Sequence, residues 1–303
     1  MPQELSQPAA SRGVKEWLAS AVVRRLPGKV QQALRRIVRP SLHTSRFTNL
    51  FHCTTQKAGS QWIRAVLCDP RVRRHCGLAG FDYEASLPGG HDPRRLADKR
   101  IAGPFPARTI ATPLYLGYAA YRDLEKPPES RAVFVVRDPR DLVVSHYFSV
   151  RYSHPLMGNI REQRARLEKL TPADGLRQTL VTLADYGTFD CQRSWREGAA
   201  HDPTVLLVRF EDLIGDRPQV VWQRLFQHFD IQMTTAVLAQ LLQEHSFESR
   251  AGRKRGDEDR QSHFRKGVHG DWKNHFDERL VEEFKRYTGD LVMALGYESS
   301  DGW

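Results

Sequence analysis

Lys57, Gly59 and Ser60 are set in the run Gln56-Lys57-Ala58-Gly59-Ser60-Gln61-Trp62, which follows the apolar stretch Leu50-Phe51-His52-Cys53-Thr54 and precedes a helical pattern beginning at Ile63. A strand that enters a glycine turn and then a helix makes an anion site, because the first helical N–H groups lack intrahelical partners and point into the turn. The loop is not the ATPase loop G-x-x-x-x-G-K-[ST], since its lysine comes before its only glycine. Two further places carry the same chemistry. Arg137 follows the apolar run Arg131 to Val136 and is followed two helical turns later by Ser145, and Arg265-Lys266-Gly267 stands near the C-terminus. Taken singly, each also reads as a surface ion pair, a helix start or a solvated charge run. Three basic or hydroxyl-bearing sites in one chain weaken that reading.

The elements that must position them follow from the apolar pattern. Phe47 to Thr54 reads as a first buried strand, with a helix from Ile63 that ends or kinks at Asp69-Pro70. Residues 77–107 are rich in Pro and Gly and show little regular pattern, the kind of segment that lines a pocket. Thr109 to Ala111 reads as a short strand, Leu114 to Leu124 as a helix starting near Pro113, Arg131 to Val136 as the clearest buried strand, and Leu142 to Tyr152 as a helix. Residues 161–200 are mainly helical, with breaks at Pro172 and Gly187. Thr204 to Phe210 is another strand, helices follow at 217–229 and 234–245, Glu248 to His263 is a charged loop or lid, and Asp277 to Leu295 is an amphipathic helix. In an open parallel sheet, ligands bind beyond the carboxyl ends of the strands, where Arg137 would stand.

The 303 residues allow one large α/β domain, expected over 47–303, after a basic extension at 1–46. Within that extension, residues 14–38 form two short basic amphipathic helices that could contact an anionic membrane surface. The apolar run Trp17 to Val23 is too short to span a bilayer and lacks a signal-peptide cleavage pattern, so a cytoplasmic location is expected. Four cysteines without a C-x-x-C pair fit a reducing compartment, and Cys68, His75 and Cys76 lack a fourth ligand at zinc-site spacing, so no metal is expected. The net charge of +10 favours an anionic partner. No nucleic-acid module or zinc-finger spacing accompanies that charge, and nucleic acid is not expected as a partner.

In order and context these residues resemble the PAPS-dependent sulfotransferases, the cytosolic type in particular. Lys57, Gly59, Ser60 and Trp62 match that family's 5′-phosphosulfate loop, with Gln61 where threonine is usual; Arg137 with Ser145 resembles its 3′-phosphate-binding strand and helix. Phe210-Glu211-Asp212 is similar to its aromatic-Glu-Asp strand end, with Phe in place of tyrosine, so a hydroxyl contact to the nucleotide is absent. Ser246-Phe247 looks like the pair that closes on adenine, and Arg265-Lys266-Gly267 with Gly270-Asp271-Trp272-Lys273 looks like the R-K-G-x-x-G-D-W-K segment. The resemblance implies a P-loop-like three-layer α/β fold with a central parallel sheet, PAPS as co-substrate and PAP as product. It also implies transfer of a sulfuryl group to a hydroxyl or amine of a small or lipid-like acceptor. Residues 57–62, Ala58 included, would hold the 5′ side; Arg137, Ser145, Arg265, Lys266 and Gly267 would hold the 3′ side; Trp62 and Phe247 would sandwich adenine.

One departure stands out. The family's catalytic histidine falls in a Lys-Thr-His segment, where this sequence reads Ile110-Ala111-Thr112-Pro113, with Thr112 at or beside the histidine position. Threonine is no base near neutral pH; the candidate bases are His91 and Glu84 in the irregular 77–107 tract, Glu84 because the arrangement resembles Golgi-type sulfotransferases that use a glutamate downstream of the loop, while a catalytically silent PAPS- or PAP-binding protein is the rival and Thr112 and His154 are acceptor-lining residues. The family's C-terminal dimer segment is not evident in Lys273 to Glu283, leaving the oligomeric state open.

Overall fold

The computed structural model describes residues 41–84, 95, 96, 99, 101 and 104–303. Its centre is the apolar run Asn49–Thr54, strand β1, buried at every position, as a strand covered on both faces must be. The glycine turn leads into α1 (Ser60–Leu67), and Asp69 then ends the run by capping a second short helix, α2 (Pro70–Arg74), accepting a hydrogen bond from the Arg71 N–H. The irregular tract hides a strand, β2 (Ala79–Asp82), that its sparse apolar pattern did not announce. The β3 strand spans Thr109–Leu114, so Pro113 lies in a strand rather than opening a helix, and the helix α3 is only Tyr118–Arg122.

Strand β4 (Ser130–Val136) runs into α4 (Pro139–Phe148), and a wide turn over Ser149–Ser153 continues it. Helices α5 (Ile160–Glu168), α6 (Pro172–Asp185) and α7 (Thr188–Ala199) follow, with Pro172 and Gly187 at helix starts as expected. Strand β5 (Val205–Arg209) leads through α8 (Phe210–Ile214) to α9 (Pro218–His228), α10 (Thr235–Glu244) and α11 (Phe247–Ala251). The expected C-terminal helix is broken at Gly289 into α12 (Glu278–Thr288) and α13 (Leu291–Ala294). The sheet order is β2-β3-β1-β4-β5, and every neighbouring pair is parallel.

Strand alternation divides the core in two. Leu50, Ile110, Val133 and Val135 face α1, α9 and α10, packing with Ile63, Trp222 and Leu241, whereas Phe51, Ala111, Phe134 and Val136 face α4, α6 and α7. The result is a three-layer α/β fold. The basic helices expected at 14–38 lie outside the described residues, and residues 41–46, just ahead of β1, bind onto the domain, through Leu42 N–H to Arg74 O at 2.7 Å and Arg46 N–H to Asp230 Oδ2 at 2.7 Å. No described helix is long and apolar enough to cross a membrane.

Phe134 stacks on Trp195 with ring centroids 4.7 Å apart, tying β4 to α7. Removing that ring leaves a cavity as well as lost burial. The Phe134→Ala variant is expected to unfold in urea with about 3–5 kcal/mol less stability than the parent; a loss below about 1 kcal/mol would mean that the sheet is not anchored there.

Candidate functional site

β1 is flanked by β3 and β4, so the chain reverses its order of strand addition there, and the carboxyl ends of the two neighbours part to leave a crevice. A cavity of about 840 Å³ opens at that edge. Lys57, Gly59, Ser60, Gln61 and Trp62 line it from the β1 turn, Arg137 and Ser145 from the β4 end, Phe210 from the β5 end, and Phe247, Arg265, Lys266 and Gly267 from the C-terminal segment. Segments far apart in sequence therefore meet at one place.

The turn is shaped by close approach. Gly59 has φ +76°, and a Cβ there would lie 2.4 Å from the Phe210 ring; Gly267 has φ +69°, and a Cβ there would lie 2.5 Å from the Phe247 ring. Each aromatic side chain thus rests on a glycine that no larger residue could replace without displacing it. Lys57 also adopts a positive φ, 64°, uncommon for a residue with a side chain. Arg137 donates from Nη1 to the Lys57 carbonyl at 2.8 Å, lies with its guanidinium 5.0 Å from the Phe210 ring centre, and leaves its Nε buried without a partner among the described residues.

Charge is concentrated and then restrained. Burial, with Arg137 and Arg265 nearby, lowers the Lys57 ammonium from its ordinary value to about 8. Buried Asp141 accepts from the Gly270 and Trp272 N–H groups at 2.7 and 2.9 Å, which fastens the C-terminal segment to α4. Asp271 receives Arg265 at 2.5 Å and Lys266 at 2.7 Å, with Asn274 and His275 also bonded to it. Burial opposes its ionisation, yet the bonds from His275, Lys266 and Arg265 hold its carboxyl well below the usual carboxylate range. Glu258 occupies the other face of Arg265 at 2.5 Å.

Trp62 donates Nε1–H to the His245 carbonyl at 2.7 Å and packs edge-on against Phe210 and Trp222. Gln61, in the position expected to hold threonine, donates to Glu84 Oε2 at 2.7 Å, and both line the cavity. His154 lines it as well, brought round by the wide turn, whose His154 N–H bonds to Ser149 O at 2.7 Å. His91 lies outside the described residues.

Three expected site residues do not reach the cavity wall. Ala58 is buried beneath the turn, and Ser246 caps α11 by accepting from Ser249 N–H at 3.1 Å. Thr112 is fully buried in the sheet with its Oγ1 2.7 Å from His52 Nδ1. The physical reason is an irregularity: Phe51 pairs with Ala111 but Cys53 pairs with Leu114, so β3 carries an extra residue there, and such a bulge re-aims the side chains around it.

Beyond that bulge, Tyr115 lines the cavity and donates to Ser60 Oγ at 2.8 Å. Its place immediately after a buried strand was the sequence signal that went unused. His146, beside Ser145, is 6% exposed and lines the cavity with both ring nitrogens unpartnered among the described residues; Ser149 Oγ is likewise buried and unpartnered. Nothing in the local pattern distinguishes His146 from a packed helix residue. Among the described residues, no cluster of His, Cys, Asp and Glu side chains could hold a metal ion.

A family model described as the sulfotransferase domain matches residues 118–296, more than half of the chain. The chain belongs to the sulfotransferase domain family. Sulfotransferase 6B1 of Danio rerio is 28% identical over 180 residues, which are 57% of this chain and 55% of that one, so the match spans about half the length of this curated relative. The crystal structure of mouse sulfotransferase SULT7A1 complexed with PAP superposes with a TM-score of 0.56 at 21% identity, covering 82% of this chain and 85% of that one. That likeness carries the fold of this sulfotransferase-domain chain.

His52 and His146 are both held neutral by burial, which lowers each from its ordinary value to about 3. Below about pH 6.5 the unfolded chain binds protons that the folded chain refuses, so stability falls as pH drops from 6.5 toward 3. Each group contributes a slope of about 1.4 kcal/mol per pH unit over that range. Urea titrations at pH 7 and 5 are expected to show that loss, smaller by one group's share in His52→Asn; equal stability at both pH values would contradict the buried, neutral assignment.

Proposed function

We propose that this chain transfers a sulfuryl group from PAPS to a hydroxyl or amine of a small or lipid-like acceptor. The observation that carries the reading is the convergence of Lys57, Arg137 and Arg265 on one cavity, close enough for the two arginines to depress the lysine's proton affinity. A ligand with anionic groups at two ends matches that spread. Ser60 and the N-terminus of α1 suit the 5′ side, and Arg137, Ser145, Arg265, Lys266 and Gly267 the 3′ side, with Glu258 giving way to phosphate on Arg265. Trp62 and Phe247 would flank adenine.

Sulfuryl transfer resembles phosphoryl transfer in its loose, in-line transition state, so the protein's share is positioning and charge stabilisation. As the S–O bond to the 5′-phosphate breaks, negative charge grows on the bridging oxygen, and the Lys57 ammonium meets it there, an interaction stronger in the transition state than in the ground state. The acceptor's proton passes to Glu84, which Gln61 orients by its hydrogen bond. His91 is the other candidate for this step. The isolation of Thr112 against His52 favours a second reading, a nucleotide-binding protein without turnover.

Incubation with PAPS and an acceptor panel, following PAP release, separates the two. The parent is expected to turn over and Lys57→Ala to lose about 100-fold or more, while Arg137→Ala and Arg265→Ala weaken PAP binding. Tight PAP binding with no turnover above the Lys57→Ala background would select the silent reading, and PAP binding that survives loss of both arginines would remove the nucleotide assignment. The Lys57 ammonium is present below its pKa and lost above it, so kcat/KM for PAPS is expected to decline above about pH 8, a limb that Lys57→Arg should lack. Glu84→Gln is expected to cut turnover by about 100-fold with PAP affinity kept; an unchanged rate would eliminate Glu84 as the base.

A further inference from the structure

One part of the cavity wall is not used by the reaction just described. Val150 and Ile160 are buried there, Met157 stands at its rim, and Tyr186, Asn159 and Gln163 also line the cavity. Tyr186 is 7% exposed, and its hydroxyl oxygen accepts hydrogen bonds from Asn159 Nδ2 at 2.9 Å and from Gln163 Nε2 at 3.0 Å. A phenolic oxygen has room for about two incoming bonds. With both places filled by amide N–H groups, its own proton has no acceptor among the described residues. With the amides so placed, the phenol O–H is a spare donor at the cavity wall.

A donor fixed on a buried ring, with the apolar Val150 and Ile160 also in the lining, discriminates strongly, because a ligand that cannot accept leaves it desolvated and unpaired. We propose that this wall is a recognition subsite for an oxygen on the acceptor remote from the reacting hydroxyl. The acceptor is then an alcohol or phenol with an apolar body and a carbonyl or ether oxygen at its far end. Tyr186 binds that oxygen and takes no part in the transfer. The inference rests on the sulfuryl-transfer reading for which end of the molecule reacts, and its test is by equilibrium binding, so the two can fail separately.

The probes are 4-acetylphenol and 4-acetyl-4′-hydroxybiphenyl, each paired with its 4-isopropyl isostere, titrated calorimetrically into protein saturated with PAP. At least one acetyl compound is expected to bind about 10-fold or more tightly than its isopropyl partner. In Tyr186→Phe the ratio should fall to within about 3-fold, chiefly through weaker binding of the acetyl compound, with PAP affinity kept. Gln163→Leu, which leaves the phenol in place, guards against misfolding of the tyrosine variant. It is expected to retain a preference for acetyl, since the Tyr186 proton remains.

Equal affinities within both pairs in the parent, an isopropyl preference, or no binding of any of the four compounds overturns the subsite. A preference that persists undiminished in Tyr186→Phe overturns the role of Tyr186. Failure of PAP itself to bind instead counts against the nucleotide reading.

Discussion

Three like charges at one edge of a sheet repel each other, and the site exists only because the fold holds Lys57, Arg137 and Arg265 together against that repulsion. The restraint is distributed. Arg137 is anchored by the Lys57 carbonyl and faces Asp141 at 3.9 Å. Asp141 spends its two oxygens on the backbone of the C-terminal segment, and Asp271 gathers Arg265 and Lys266. Burial first, and then the two guanidinium groups nearby, disfavour the charged form of Lys57. Under the proposed function, an anionic ligand placed among the three groups would offset that mutual repulsion.

The backbone is arranged around that demand. Gly59 beneath Phe210 and Gly267 beneath Phe247 let two rings settle on two turns, each ring belonging to a different part of the chain from its turn. Phe210 also carries the Arg137 guanidinium against its face. Glu211, next along, accepts from the Asp138 N–H at 3.0 Å and from the Tyr297 hydroxyl at 2.7 Å, so the β4 and β5 ends and the C-terminal region are set by one carboxylate.

Much of this was legible in the sequence, for reasons that particular residues make plain. Lys57, Gly59, Arg137 and Arg265 act through local turns and helix starts, and those leave fixed spacings. The buried strands at Asn49–Thr54 and Ser130–Val136 announce themselves as unbroken apolar runs. What escaped is what only pairing determines. The short β2 has half-exposed residues and no run to recognise, and Pro113 suggested a helix start because its place in a strand depends on the bulge opposite His52. The same bulge turns Thr112 into the sheet and leaves the wall to Tyr115. His146 and Tyr186 look like ordinary packed residues in sequence, and their unspent hydrogen-bonding capacity appears only when neighbours from other helices are in place.

The wide turn after α4 has a further meaning. Ser145, Ser149 and Val150, which all line the cavity, belong to one continuous helical run, and His154, also in the lining, stands just past its end. The turn at Ser149–Ser153 closes over five residues instead of four, and one residue in a helix is worth about 100° of rotation. The two halves of the cavity are therefore geared to one another by helical phase. Lengthening or shortening that run by a single residue would swing one wall past the other like a mistimed cam, whereas changes of side chain beyond it would alter the lining without disturbing that angle.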